Sequence, residues 1–209
     1  MDKKEKQKLL NQLKEKMAND DSLPLRRGAT NLVFGEGNPN AEILFIGEGP
    51  GFWEDKKGLP FVGNAGAFLN QLLYLIKLKR QEVFITNVVH YRPPENRDPT
   101  PDELRAFEPY LDSIIEIIDP KVIVTLGRYS MGKFLLGVTI SSVHGKPRKV
   151  EWKGKEIVIV PMYHPAAGLR SLDIKKRLQE DFKIIPQVLE NLDKAEKEKK
   201  DKVEQMNLI

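Results

Sequence analysis

Four apolar runs, each followed by a segment with helical features, set the strongest limit on how this 209-residue chain can fold. The runs occupy residues 43–46, 82–89, 121–126 and 157–161, and they are rich in β-branched side chains. Strands that alternate with helices in this way pair in parallel and are covered by helices on both faces. The sequence therefore predicts an α/β fold with three layers, in which a central four-stranded parallel sheet lies between helices.

The other predicted elements complete a single domain over residues 1–209. An amphipathic N-terminal helix is expected within residues 1–18, and a charged helical extension over 193–209. Two small polar strands or a hairpin are expected within 139–156. Thr100 and Pro101 form the start of a capped helix, because an N-cap hydroxyl is followed by proline at the first helical position. Further helices are predicted over 64–78, 101–118, 128–136 and 174–192.

The composition narrows the possible chemistry. The chain has no cysteine, which excludes disulfides, thiolate metal sites and thiol nucleophiles. Its three histidines are far apart in sequence, so no metal and no cofactor are expected. No apolar run is as long as a membrane span, and we expect a cytoplasmic protein that does not bind membranes. The net charge of +4 is compatible with binding to nucleic acid.

A glycine-rich turn, Gly47-Glu48-Gly49-Pro50-Gly51, joins the first predicted strand to the segment that leads into the next helix. Asn87 falls at the end of the second strand, and His164-Pro165 follows the fourth. The carboxyl ends of parallel strands lie along one edge of the sheet, where open α/β folds bind ligands. We therefore expect these three segments to converge on one site.

The residue types at this edge suit a flat, polar ring. Glu48 either caps the turn or orients a water and stabilises a cation. Asn87 either closes a turn or reads a uracil edge, donating to O4 and accepting from N3–H, whereas cytosine presents the opposite pattern. Phe61 is either a core residue or a stacking surface, and His164 is either structural or a hydrogen-bond donor to a leaving anion.

Four motifs together resemble the uracil-DNA glycosylase superfamily, and most closely its family 4. They read GEGPGFWEDKKGLPFVG at 47–63, TNVV at 86–89, RPPENR at 92–97 and HPAAGLR at 164–170. The resemblance covers about residues 20–190. It implies a DNA repair enzyme that hydrolyses the N-glycosidic bond of deoxyuridine in DNA, releases uracil and leaves an abasic site. It also implies uracil-containing DNA, single- or double-stranded, as partner; we further expect a monomer associated with the nucleoid.

The resemblance assigns roles to individual residues. Glu48 handles the water, Phe61 stacks on the flipped uracil, Asn87 reads its edge, and His164 stabilises the departing anion. Gly47 and Gly49 would complete the uracil pocket. The remaining assignments are contacts to DNA, with Leu169 or Arg170 as the wedge that enters the duplex: Pro93, Asn96, Arg97, Leu169 and Arg170.

The chain departs from family 4 in one respect. Members of that family typically hold a four-cysteine iron–sulfur cluster, and the matching positions here are Asp20, Leu23, Tyr91 and Phe107. None of these side chains supplies a thiolate. We therefore predict that the cluster is absent and that Leu23, Tyr91 and Phe107 pack together in its place.

Other functions stay open on the sequence alone. The chain could be a related glycosylase that removes hypoxanthine or xanthine, a relative that becomes trapped on the abasic sugar, or a catalytically silent DNA-binding protein. The joint presence of Glu48, Phe61, Asn87 and His164 argues against the silent binder. A nucleotide-binding domain is disfavoured because the glycine-rich turn lacks the Lys-Ser/Thr pair that binds a triphosphate.

Overall fold

One six-stranded sheet organises the computed structural model, which describes the backbone of residues 1–206 and the side chains of residues 1–198 and 201. The strand order is β1-β3-β2-β4-β6-β5, and the four inner strands are parallel. Each outer strand pairs antiparallel with its inner neighbour, so the predicted four-stranded parallel sheet is confirmed and carries one extra strand at each edge. The strands are β1 Glu36–Gly37, β2 Ile43–Gly47, β3 Phe84–Asn87, β4 Val122–Leu126, β5 Arg148–Trp152 and β6 Lys155–Met162.

Helices cover both faces of this sheet. Because side chains alternate along a strand, Leu44 and Ile46 face one hydrophobic cluster while Ile43 and Phe45 face the other. The first cluster includes side chains of α1 and α4, and the second includes side chains of α3, α8 and α9. The helices are α1 Lys3–Ala18, α2 Phe52–Lys57, α3 Asn64–Leu75, α4 Pro101–Ile118, α5 Arg128–Gly132, α6 Ile140–Val143, α7 Pro165–Arg170, α8 Leu172–Phe182 and α9 Ile184–Met206.

The helix predicted over 174–192 is in fact two helices, and that prediction was wrong. Helix α8 ends at Phe182 and α9 begins at Ile184. Pro186 explains the break, because proline has no N–H to donate to the carbonyl of Phe182 and its ring crowds that carbonyl. Of the predicted extension over 193–209, residues 207–209 lie outside the described part of the chain.

The segment 139–156 agrees with the prediction in part. It holds a hairpin, formed by β5 and the beginning of β6, and a short helix, α6, that was not predicted. Strand β6 continues from this hairpin into the strand predicted over 157–161, so the two form one strand from Lys155 to Met162. The helix predicted over 128–136 ends at Gly132, and the strand predicted over 82–89 is limited to Phe84–Asn87. Within residues 1–206, no helix is both long and apolar enough to span a bilayer.

The predicted apolar replacement for the iron–sulfur cluster is confirmed. Leu23, Tyr91 and Phe107 are buried in one hydrophobic cluster, and the ring centroids of Tyr91 and Phe107 are 6.1 Å apart. The Asp20 carboxylate accepts a hydrogen bond of 2.6 Å from the Tyr110 hydroxyl. These side chains offer two hydrocarbon surfaces, a phenol and a paired carboxylate, so they do not fit an iron–sulfur cluster. They instead join the segment after α1 to the loop after β3.

Replacing Phe107 with alanine should reduce the free energy of unfolding by about 3–5 kcal/mol, because it removes a fully buried ring and leaves a cavity. Urea denaturation followed by circular dichroism measures the effect. The exposed Leu136 provides a control, since Leu136→Ala should change stability by no more than about 0.5 kcal/mol. Equal stability of the two variants would show that the Phe107 cluster does not tie these segments together.

Candidate active site at the carboxyl edge of the sheet

The loops after the parallel strands form one cleft of about 650 Å³. Glu48 follows β2, Asn87 ends β3 and His164 follows β6, and all three side chains line this cleft. The convergence predicted from the sequence is therefore found. Of the other predicted site residues, Gly47 and Leu169 do not line the cleft, whereas these do: Gly49, Phe61, Pro93, Asn96, Arg97 and Arg170.

Gly47 lies where the site allows no side chain. It pairs with Asn87 across strands β2 and β3. A Cβ atom on Gly47 would lie 2.4 Å from Asn87 Oδ1 and 2.6 Å from Phe61 Cε2. Only glycine therefore lets the Asn87 amide and the Phe61 ring approach each other this closely. Val88 N–H donates to the carbonyl of Gly47 at 3.0 Å, which holds the turn against the segment after β3.

Phe61 is held in a left-handed backbone conformation with φ of +50°. Its carbonyl accepts a hydrogen bond of 3.2 Å from Arg80, which also donates to the carbonyl of Pro60 at 2.5 Å. On the other side, Glu54 Oε1 accepts from the backbone N–H groups of Val62 and Gly63, each at 2.8 Å. These bonds offset the strain of the φ value and fix where the ring lies.

The Phe61 ring is more enclosed than its position in a loop suggested. It is a buried side chain that borders the cleft, and its centroid lies 5.7 Å from that of the His164 ring. Arg80 and Glu54 were not predicted from the sequence, because their role depends on contacts between distant elements. Both side chains hold the backbone around Phe61, the predicted stacking surface, by hydrogen bonds.

Asn87 presents an unsatisfied acceptor. The residue is 2% exposed, and its Oδ1 atom is buried without a hydrogen-bond partner among the described residues. Leaving a buried acceptor unpaired costs about 1–3 kcal/mol, so native structures rarely keep one without a functional reason. Asn87 lines the cleft, where a ligand N–H would satisfy this acceptor.

His164 is fixed as a neutral imidazole with its proton on Nε2. It is the N-cap residue of α7, and its Nδ1 accepts a hydrogen bond of 3.2 Å from the N–H of Ala166. Burial lowers the pKa of His164 to about 4, with the Arg170 charge adding to the shift and the Glu54 charge opposing it. The ring is therefore uncharged near neutral pH, and Nε2–H remains as a donor.

The pKa of Glu48 is shifted in the opposite direction to that of His164. Burial raises the pKa of Glu48 to about 7, and the negative charge of Asp98 adds to the increase while the Arg128 charge opposes it. Arg128 forms an ion pair with Asp98, and its guanidinium lies 4.8 Å from the Tyr129 ring centroid. Asp98 and Arg128 both line the cleft. A carboxyl group with this pKa changes its ionisation near neutral pH.

Asp98 and Arg128 were not predicted as site residues, although the sequence carries a signal for Arg128. Gly127-Arg128 directly follows β4, at the same sheet edge as the other three strand ends. Asp98 lies in an irregular loop, and only the fold brings its carboxylate near Glu48.

The residues predicted to contact DNA surround the cleft. Glu95 and Asn96 both have positive φ, at +53° and +55°, and Arg92 Nε donates to Asn96 Oδ1 at 2.8 Å. The Arg97 guanidinium makes two hydrogen bonds to the Glu103 carboxylate, at 2.8 and 2.6 Å. This ion pair holds the loop against the beginning of α4 and neutralises part of the Arg97 charge.

On the other side of the cleft, helix α7 carries the predicted wedge. Leu169 is 49% exposed, and the neighbouring Arg170 borders the cleft. Among the residues whose side chains are described, no three His, Cys, Asp or Glu residues lie close enough together to hold a metal ion.

Comparison with known proteins identifies the family. Residues 34–184 match the model of the uracil DNA glycosylase superfamily. A type-4 uracil-DNA glycosylase of Sulfurisphaera tokodaii is 49% identical over 184 residues, which is 84% of this chain and 83% of that protein. Proteins of the same name from Archaeoglobus fulgidus and Thermotoga maritima are 46% and 42% identical, over 77% and 85% of this chain and 83% and 93% of their own lengths. This chain belongs to the uracil DNA glycosylase superfamily.

Proposed function

We propose that this protein is a uracil-DNA glycosylase of DNA repair, which hydrolyses the N-glycosidic bond of deoxyuridine in DNA and leaves an abasic site. The observation that carries this proposal is the unpaired Oδ1 of Asn87, buried beside Phe61 and His164 in one cleft. The relatives named type-4 uracil-DNA glycosylase, at up to 49% identity, support the same activity.

Base recognition follows from the hydrogen-bonding pattern of uracil. Asn87 Oδ1 accepts the N3–H proton, and the amide nitrogen donates to O4. Cytosine has an acceptor at N3 and a donor at C4, so it would face two mismatched groups. The Phe61 ring covers one face of the base. The target nucleotide must leave the helix to reach this cleft, which costs a few kcal/mol in a duplex and less in a single strand.

His164 stabilises the leaving group. Breaking the C1′–N1 bond moves negative charge onto uracil, and O2 is the carbonyl oxygen that Asn87 does not contact. A neutral imidazole with the proton on Nε2 donates a hydrogen bond to this developing oxyanion. Because the site is buried, the bond is stronger than it would be in water.

Glu48 acts on the sugar side of the bond. As the bond breaks, the sugar becomes cationic, and an ionised carboxylate stabilises that charge and orients the attacking water. Sugar glycosidases usually need a second carboxylate as acid or nucleophile. Uracil is a better leaving group than a sugar alkoxide, so the single carboxylate of Glu48 suffices.

The rate of uracil release should increase with pH through a midpoint of about 7, because Glu48 acts in its ionised form and its pKa is raised to that value. Asp98→Asn should move this midpoint to lower pH, since the variant loses a negative charge and frees Arg128 to interact with Glu48. Measurements of kcat/KM between about pH 5 and 9 give the midpoint for each protein and therefore the shift.

Two further variants test whether the change in the pH midpoint arises at Glu48. Arg128→Met should move the midpoint to higher pH, opposite to Asp98→Asn, because it removes a positive charge near Glu48. Glu151→Gln, at an exposed position on the edge strand β5, should leave the profile unchanged. A midpoint that stays the same in both cleft variants would disprove the assignment of this titration to Glu48.

Contacts outside the base pocket complete the proposal. Pro93, Asn96, Arg97 and Arg170 bind the DNA backbone around the flipped nucleotide, and Leu169 enters the gap that the nucleotide leaves. The protein works as a single-domain monomer associated with the nucleoid in the cytoplasm. Uracil-containing DNA is its substrate, in single or double strands.

A substrate panel tests the proposed activity. Oligonucleotides that contain uracil, hypoxanthine, xanthine or a thymine mismatch are incubated with the protein and EDTA, and abasic sites are then cleaved with alkali. We expect cleavage only at uracil. Cleavage at hypoxanthine or xanthine instead would indicate the related deaminated-base glycosylase, and binding without any cleavage would indicate the silent DNA-binding protein.

A further inference from the structure

Two adjacent aromatic side chains are exposed at the surface of helix α2. Phe52 is 45% exposed and Trp53 is 56% exposed. Their rings pack edge to face, with centroids 5.2 Å apart and an interplanar angle of 81°. Single exposed apolar residues are common, but a paired, mutually oriented phenyl and indole present a continuous aromatic surface. We call this surface the aromatic platform, made of Phe52 and Trp53.

The aromatic platform lies next to residues that line the cleft, Gly51 and Glu54. Helix α2 begins immediately after the glycine-rich turn, and its N-cap residue Gly51 lines the cleft. A Cβ atom placed on Gly63 would lie 3.5 Å from Trp53 Cδ1, so the indole packs beside the end of the Phe61 loop. Glu54, which follows Trp53, holds that loop because its carboxylate accepts hydrogen bonds from the backbone N–H groups of Val62 and Gly63. The platform therefore lies beside residues that form one wall of the cleft.

Cationic side chains surround the same surface. The Arg92 guanidinium lies 5.3 Å from the Phe52 ring centroid, and Lys56 Nζ lies 5.9 Å from it. Arg92 also donates to Asn96 Oδ1, which connects the platform to the loop after β3. Aromatic rings next to cations are the combination that binds single-stranded nucleic acid, because bases stack on the rings and phosphates pair with the cations.

We propose that Phe52 and Trp53 bind the base next to the flipped uridine on the same strand, while Arg92 and Lys56 bind the phosphates between them. This inference rests on the proposed function and extends it to nucleotides outside the pocket. In a duplex, the neighbouring base is already stacked and paired. In a single strand it is free, so the platform favours uracil in single-stranded DNA.

The fluorescence of Trp53 tests the contact without any catalysis. The chain has two tryptophans, so Trp152→Phe leaves Trp53 as the only indole. Titration of this variant with a uracil-free oligothymidylate should quench the emission in a saturable way, because a base stacks on the indole. Quenching that is absent at concentrations where the DNA is bound would overturn the proposal. So would emission that changes with protein concentration alone, since the platform would then be a contact between two copies.

Substitutions measure how much the platform contributes. Trp53→Ala should weaken binding of single-stranded DNA by about 5- to 150-fold, the range that corresponds to the loss of one base–aromatic stack. The increase in KM should be larger for single-stranded than for duplex substrates. Trp53→Phe should restore most of the affinity, because a phenyl ring still stacks. The matched control is Tyr74→Ala, which removes an aromatic ring that is 84% exposed on α3, away from the cleft.

The results separate this inference from the proposed function. Saturable quenching with no uracil release would support the platform and contradict the glycosylase. Rapid uracil release, with Trp53→Ala and Tyr74→Ala binding single strands equally well, would support the glycosylase and overturn the platform.

Discussion

Replacing Asn87 with aspartate is expected to reduce the ratio of uracil to cytosine removal by about 10⁴- to 10⁵-fold, the range by which a site built to hydrogen-bond its substrate rejects a mismatched one. Aspartate keeps the acceptor for N3–H but replaces the donor to O4 with a second acceptor. Uracil O4, which is itself an acceptor, then faces an acceptor instead of a donor. When the new carboxyl group is protonated, it can donate to N3 of cytosine and accept from its amino group, which is the reverse of the parent pattern.

The measurement is the single-turnover rate on matched oligonucleotides that carry uracil or cytosine at the same position. Asn11→Asp is the control, because Asn11 is exposed on α1 and its Oδ1 acts only as an acceptor, for Gln7. That variant should keep the parent ratio. An unchanged ratio in Asn87→Asp, with the fold intact by circular dichroism, would show that Asn87 does not read the base.

Replacing His164 with alanine is expected to lower kcat by about 10²- to 10³-fold, the usual effect of removing one donor to a developing oxyanion. Binding of substrate DNA should change much less, because the bond to uracil O2 strengthens only as negative charge develops. His164→Gln should lose less than His164→Ala, since a glutamine amide restores a donor near the same position.

The pH profile separates His164 from Glu48. Burial lowers the pKa of His164 to about 4, so the imidazole stays neutral through the range in which Glu48 ionises. His164→Ala should therefore lower the rate at every pH and leave the midpoint near 7. Measurements of kcat/KM across this range test both statements, because this ratio reports the pKa values of the free enzyme. A variant that lost the midpoint and kept its rate at high pH would assign the titration to His164.

Much of the fold followed from local features of the sequence. The apolar runs that became β2, β3, β4 and β6 were recognisable because a strand buried on both faces needs apolar side chains throughout. Their parallel order then placed the strand ends at one edge. The break after Phe182 was also encoded locally, by Pro186. It was missed because the apolar periodicity continues across it.

The polar side chains that hold the loops of the site in place could not be predicted from local features of the sequence. Arg80 reaches the Phe61 carbonyl across 19 positions of sequence, and Glu36, which holds Arg80, lies 44 positions before Arg80. Asp55 accepts from the backbone of Thr30 across 25 positions. Each of these polar groups looks like an ordinary surface charge in the sequence. Only the folded chain shows that they hold the loops around the cleft.

The replacement of the iron–sulfur cluster has a physical rationale. A cluster joins loops through metal–thiolate bonds, whereas Phe107, Tyr91 and Leu23 join the same segments by removing apolar surface from water. The Asp20–Tyr110 hydrogen bond adds a directional contact at the edge of this group. The loop that carries Arg92 and Arg97 thus has an anchor that requires no metal.

A crystal structure with free uracil bound would show whether this cleft is the uracil pocket. We expect uracil N3–H and O4 to lie within about 2.7–3.2 Å of the Asn87 amide, O2 to lie at the same distance from His164 Nε2, and the Phe61 ring to be parallel to the base. Uracil bound elsewhere, or bound here with Asn87 Oδ1 still unpaired, would contradict the assignment of this cleft as the uracil pocket.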